Sequence, residues 1–240
     1  MTIQSYHRPE TIAEALKLLH SSADIEILAG GTNIVTSSKP GGVVDLQRLP
    51  LNEIVVDATT ATIGSMVRLQ SIVDSADLPP FIRQLAQNEA INTFRNAGTL
   101  GGLVARAEND SELFAGLLVF EATIQFEDRA GSHTIPLSEY QPATIGRGII
   151  TDVTLHTDGT AVYERVARTP GDKPIVAVVG RKKGDTITLA ACGAAATPIL
   201  ILPDQIDALT PPADFRGSEA YRRQMVSVLS ERVINELGGE

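Results

Sequence analysis

Two glycine-rich loops constrain what this chain can fold into and hold. Ala29-Gly30-Gly31-Thr32-Asn33 directly follows a short apolar run, Ile25 to Leu28, and Thr99-Leu100-Gly101-Gly102 closes the stretch Thr93 to Gly98. Each loop sets adjacent glycines beside a hydroxyl residue. Without a Cβ in the way, backbone N–H groups can approach a phosphate closely. The loops lie about 70 residues apart, which suggests one ligand with two phosphates, gripped from both sides.

The rest of the composition narrows the function classes. With 240 residues the chain can bury a real core in one or two domains. A net charge of −9 leaves no basic surface for nonspecific nucleic-acid binding. The single cysteine, Cys192, forms no internal disulfide and builds no thiolate cluster or zinc site alone; its alanine neighbours mark it as a small core residue. His7, His20, His133 and His156 are scattered without metal-ligand spacing. Aromatic residues make up 4% with no Trp, which argues against a base-stacking platform. No apolar run approaches the roughly 18–20 residues of a membrane span. The opening residues lack the pattern of a secretory signal, so a cytoplasmic protein is expected.

Periodicity sketches the elements. Thr11 and Glu14 form a capping box ahead of a helix whose buried face is Ile12, Ala15, Leu16 and Leu19. Strands are expected at 25–28, 43–46, 54–56 and 62–64, and helices at 69–76 and from 81 to about 88. The segment 98–102 reads as a loop. A helix follows over 111–121, then strands at 122–126, 133–136 and 149–155. The polar turn Thr157-Asp158-Gly159-Thr160 is a plausible boundary. Beyond it, 161–167, 174–180 and 186–192 read as a small antiparallel sheet, with Arg181-Lys182-Lys183 in a hairpin turn. The last helix starts near Ser218 with Tyr221, Met225, Val228, Leu229 and Val233 as its apolar face, and Arg222 and Arg223 read as surface or interface charges. Strands and helices alternate without strict βαβα order, which favours an α+β fold. The dinucleotide fingerprint G-x-G-x-x-G is absent.

Ordered, correctly spaced segments resemble one family almost from end to end. Tyr6-x-Arg8-Pro9 with Glu14-Ala15-Leu16, Leu28-Ala29-Gly30-Gly31-Thr32-Asn33, Val44-Asp45-Leu46 and Phe94-Arg95-Asn96-Ala97-Gly98-Thr99-Leu100-Gly101-Gly102 carry the match. So do Gly193-Ala194-Ala195-Ala196-Thr197-Pro198 and Ser218 to Met225. The pattern is similar to the FAD-binding (medium) subunit of molybdenum hydroxylases, the group of xanthine dehydrogenase and aerobic carbon monoxide dehydrogenase.

The resemblance implies a two-subdomain FAD-binding fold of the vanillyl-alcohol oxidase (PCMH) type. It covers residues 1–157, with subdomains of about 1–57 and 58–157. A C-terminal domain, 158–240, follows with a three-stranded antiparallel sheet and helices. The pyrophosphate of FAD is then expected between Ala29, Gly30, Gly31, Thr32 and Asn33 on one subdomain and Thr99, Leu100, Gly101 and Gly102 on the other, with the Thr32 and Thr99 hydroxyls donating to it. Glu112 falls where the family holds the adenosine ribose with Asp, or is a first-turn helix acid. Ile150, with Ile149, is a candidate for backbone contact with the flavin ring, or is core strand. Arg165 falls where relatives keep a cation near the ring, or is a surface or interface residue.

The chain departs from the pattern at Leu103, where the family has Asn or a similar polar residue, and in the acidic run Ala107-Glu108-Asn109-Asp110. Carboxylates beside a pyrophosphate repel it, so these must point away. The implied role is an electron-transfer subunit without catalytic side chains or metal of its own. Electrons arrive from the [2Fe–2S] clusters of a small subunit, which drains a molybdopterin large subunit, and leave FAD for NAD+, a quinone or oxygen. The alternative is a degenerate scaffold subunit that binds FAD weakly or not at all.

Overall fold

The computed structural model describes residues 3–33 and 41–238. Three sheets organise it, each with its own hydrophobic cluster. The first is parallel, in the order β1-β3-β2, from β1 (Ile3–His7), β2 (Ile25–Leu28) and β3 (Gly41–Asp45). Helix α1 (Ile12–Leu19) crosses between β1 and β2. Its N-cap Thr11 accepts from the Glu14 N–H at 3.2 Å, and Ala15, Leu16 and Leu19 are buried.

The second sheet is antiparallel, in the order β4-β5-β8-β6-β7, from β4 (Ile54–Val56), β5 (Thr60–Gly64), β6 (Thr123–Asp128), β7 (Gly131–Pro136) and β8 (Ile149–His156). Five helices stand between β5 and β6: α2 (Leu69–Asp74), α3 (Pro80–Asn88), α4 (Asn92–Arg95), α5 (Leu100–Arg106) and α6 (Glu112–Val119). A loop is expected over 98–102. Instead Thr99 caps α5, and the helix begins on the glycine pair itself. All eight residues of α6 are buried, because it lies between α3 and the third sheet.

The third sheet runs β12-β11-β10-β9, from β9 (Thr160–Val166), β10 (Val176–Lys183), β11 (Thr186–Cys192) and β12 (Ile199–Ile201). It has four strands where three were expected, since the short edge strand β12 follows Pro198. The sheet is covered on both faces. Ala177, Val179, Ala190 and the fully buried Cys192 pack with the core around α6. Val176, Val178, Leu189 and Ala191 pack with the cluster under the last helix, α7 (Glu219–Gly238). This alternation is the period of two expected of a doubly covered sheet.

Two basic residues sit differently from the sequence reading. Arg181 is inside β10 rather than on the turn. It is buried, with its guanidinium 5.0 Å from the Phe120 ring and 2.6 Å from Asp158 Oδ1. Arg222 is wholly buried, while Tyr221, expected on the apolar face of α7, is exposed. The face of α7 is rotated because Arg222 has partners inside. It pairs with Asp214 at 2.7 Å and donates to the carbonyls of Ile175 and Gly193. No helix among the described residues is long and apolar enough to cross a membrane.

Candidate functional site

A cleft of about 490 Å³ opens between the first two sheets. That is within the size range of cofactor sites. Its walls include Ala29 to Asn33 from one side and Gly98, Thr99, Gly101 and Gly102 from the other. The two glycine loops, distant in sequence, therefore face one space.

The glycines do different work. Gly31 adopts φ +73°, a left-handed conformation that other residues resist. Gly30 lets the loops touch, since a Cβ there would meet the Ala97 carbonyl oxygen at 2.1 Å. Gly101 packs on Ser65 in the same manner, at 2.7 Å. Gly102 is otherwise: only Thr99 Oγ1, at 3.2 Å, would come near its Cβ. Its bare Cα thus serves the open cleft rather than the packing.

The hydrogen-bond groups of the two loops are also unequal. The N–H groups of Gly30, Gly31 and Thr32 donate to no acceptor among the described residues. In the second loop three of the N–H groups are already used. Leu100 N–H donates to the Val67 carbonyl at 2.9 Å, Gly101 N–H to the Ser65 carbonyl at 2.8 Å, and Gly102 N–H to Thr99 Oγ1 at 3.2 Å. The two loops therefore differ as backbone grips. The first loop offers donors, while the second offers the Thr99 hydroxyl and close approach at Gly102. Leu100 turns into the core, where it is buried, and does not line the cleft.

Ile149 and Ile150 line the cleft with Met66, Leu69 and Leu103, forming an apolar stretch. Glu112 and Arg165 do not line it, and each is the other's partner. Arg165 Nε lies 3.0 Å from Glu112 Oε1, and Asn88 donates to Glu112 Oε2 at 2.7 Å. Burial pushes the Glu112 carboxyl above the usual range, and Arg165 and Asn88 offset this only in part. Neither residue is placed for the ribose or ring contact that the resemblance implied.

The acidic run is disarmed by specific partners. Glu108 pairs with Arg106, Asp110 with Arg216 at 3.0 Å, and the Asn109 carbonyl accepts from the Gly193 N–H. Glu26, Glu89, Arg106 and Lys173, none of them marked by the sequence, also line the cleft. Lys173 Nζ sits 2.6 Å from Glu89 Oε2, and Glu89 Oε1 accepts from Ser111 Oγ and the Leu113 N–H. Burial would lower the Lys173 ammonium, but Glu89 outweighs it and the group is held above its usual value. No local motif marks this pair, because its members lie 84 residues apart.

Against this geometry stand the likenesses to known proteins. The family described as FAD binding domain in molybdopterin dehydrogenase matches residues 1–153. The chain is 26% identical to the glyceraldehyde dehydrogenase medium chain of Sulfolobus acidocaldarius, over 97% of this chain and 98% of that one. It is also 26% identical to the carbon monoxide dehydrogenase medium chain of Hydrogenophaga pseudoflava, over 96% and 95%. A solved carbon monoxide dehydrogenase from Hydrogenophaga pseudoflava superimposes with a TM-score of 0.86. It is 24% identical, covering 99% of this chain and 98% of that one, and so speaks for the fold.

Proposed function

Because this chain belongs to the family of FAD-binding domains in molybdopterin dehydrogenases, we propose that it is the flavin-carrying electron-transfer subunit of a molybdenum hydroxylase, with FAD seated in the cleft between its two glycine loops. FAD is the cofactor, and the protein is an oxidoreductase subunit. One observation carries the placement: the N–H groups of Gly30, Gly31 and Thr32, which have no acceptor among the described residues, border a cleft closed from the other side by Gly102.

The residues present fit a diphosphate-containing cofactor. Gly30, Gly31 and Thr32 supply N–H donors with no acceptor among the described residues, and Gly102 supplies the room to bring one close. Met66, Leu69, Leu103, Ile149 and Ile150 exclude water from the apolar stretch, and Ile150 remains the candidate for the flavin ring. Arg106 pairs with Glu108 and Lys173 with Glu89 at the rim, whereas Glu26, which also lines the cleft, has no ion-pair partner among the described residues. FAD supplies the redox chemistry when bound. The side chains supply binding, orientation and exclusion of solvent.

In this reading residues 1–57 and 58–157 are the two halves of the flavin domain and 158–240 the C-terminal domain. The [2Fe–2S] small subunit and molybdopterin large subunit are partners, and NAD+, a quinone or oxygen takes the electrons. The names of the relatives as medium chains of dehydrogenases support the heteromeric assignment.

A second reading rests on Leu103. It lines the cleft where the polar residue of the resemblance would stand, as in a scaffold subunit with weak or no flavin binding. The absorbance spectrum of the purified full chain decides. Flavin bands, or their appearance with added FAD, are expected. A colourless protein that binds no added FAD overturns the first reading in favour of the second.

A further inference from the structure

Arg147 ties the two walls of the cleft together. It sits in the loop ahead of β8, next to Gly148, Ile149 and Ile150, which line the cleft. Its guanidinium crosses to the other subdomain and donates to four backbone carbonyls. Nη1 reaches Ala23 O at 3.2 Å, and Nη2 reaches Ser22 O at 2.9 Å, Ile25 O at 2.8 Å and Leu19 O. Leu19 ends α1 and Ile25 begins β2. Carbonyls at a helix end have no partner within the helix and carry the negative end of its dipole, so a cation suits them. Beside this anchor, Ile149 is fully buried in the cluster of Ala15, Leu16, Leu19 and Ile25.

We propose that Arg147 is a positioning residue: it fixes the first glycine loop against the second and thereby sets the affinity for FAD without touching the cofactor. This rests on the FAD reading above. Among the described residues strand β2 is an edge strand, bonded in its sheet to β3 alone. At about 3.3 Å per residue, the glycine loop begins about 13 Å from the carbonyl that Arg147 holds, so a tilt of about 10° there moves the loop by about 2 Å. The contact of Gly30 with Ala97 has no room for such a shift. The four carbonyls lie in several directions, which suits a rigid five-donor fork and not a single ammonium.

The test compares full-length wild type with Arg147→Ala, Arg147→Lys and a control, Val233→Ala. Val233 is fully buried under the third sheet, remote from the cleft. FAD dissociation constants come from quenching of FAD fluorescence, and thermal midpoints are taken without FAD. Arg147→Ala is expected to weaken binding at least about tenfold, with Arg147→Lys in between, because a site loosened by about 1 Å loses most of its preorganisation. Val233→Ala is expected to lower the midpoint but keep the dissociation constant within about twofold, since distant sites act independently. Unchanged binding by Arg147→Ala overturns the proposal. So does a control that weakens binding as much for the same loss of midpoint. If Arg147→Ala does not fold, Arg147→Lys against the control decides by the same criterion. Wild type that binds no FAD overturns the FAD reading, and this inference with it.

Discussion

The Cα of Gly30 lies so close to the backbone of Ala97 that a Cβ built on it would fall 2.1 Å from the Ala97 carbonyl oxygen. Two loops, each recognisable alone, are thus parts of one rigid contact at the floor of the cleft. The contact separates glycines required for assembly from the glycine required for a ligand, and the two kinds respond differently to substitution.

Gly30→Ala must push the loops apart, because the obstacle is backbone. Overpacking of this kind typically costs about 1–3 kcal/mol, and FAD binding is expected to be lost. Gly102→Ala meets only Thr99 Oγ1 at 3.2 Å, so the protein should fold as wild type. Alanine in a first helical turn can even gain up to about 1 kcal/mol. The new methyl borders the cleft, and FAD affinity is expected to fall at least about tenfold. Thermal midpoints without FAD and flavin content after purification check both. Full flavin content in Gly102→Ala would remove Gly102 from the site.

Glu112→Gln should leave FAD affinity within about twofold, because Glu112 does not line the cleft. Its effect is on the pH dependence of stability. Burial raises the Glu112 carboxyl in the folded protein, whereas the ordinary value is 4.5. The folded state therefore holds this proton more tightly than the unfolded chain. This contribution is most favourable below 4.5 and declines as pH rises from there through the raised value. Urea midpoints between about pH 4 and 7 should show that decline in wild type and a flatter profile in Glu112→Gln. Identical profiles would remove Glu112 as the source.

Lys173→Met leaves the Glu89 carboxylate buried without its cation. Breaking a fully buried pair costs about 3–5 kcal/mol. The Lys173 side chain is 28% exposed, so a loss of about 2 kcal/mol is expected. Removing the charge of Glu89 as well, in Glu89→Gln with Lys173→Met, should recover part of this loss, and a double-mutant cycle by urea denaturation measures the coupling. Since Lys173 is raised in the folded state, its contribution is complete below 10.5 and disappears as pH climbs through the raised value. Additive single and double variants would contradict the pair.

Arg222→Ala should destabilise the third sheet and α7 by about 2 kcal/mol, because it strips a cation from two buried carbonyls and from Asp214, which is 31% exposed and keeps Arg216. The acid limb of stability belongs in part to Asp214. Partial burial would raise its carboxyl, but hydrogen bonds from Arg222 and Arg216 prevail and hold it well below 3.8. The resulting stabilisation is present above 3.8 and is lost as pH falls through the lowered value. Asp214→Asn should flatten that limb in acid titrations followed by circular dichroism. An unchanged limb would shift the cause to other carboxylates.

What the sequence determined by itself was local. The capping box of α1, the period of two in β10 and β11, and the glycine pairs beside hydroxyls each follow from neighbours within a few residues. Their physics does not depend on the rest of the chain. Tertiary structure alone decided the partners. Glu112 and Arg165, 53 positions apart, meet each other instead of the cleft. Lys173 enters the cleft because Glu89 is there to receive it, and Arg222 goes inside because Asp214 and two carbonyls surround it. Tertiary contacts likewise spent the N–H groups of Leu100 and Gly101 on Val67 and Ser65, while those of Gly30, Gly31 and Thr32 have no acceptor among the described residues. Periodicity reports which face of an element is apolar. A charge goes where its counter-charge and hydrogen-bond partners stand, and only the folded chain brings those together.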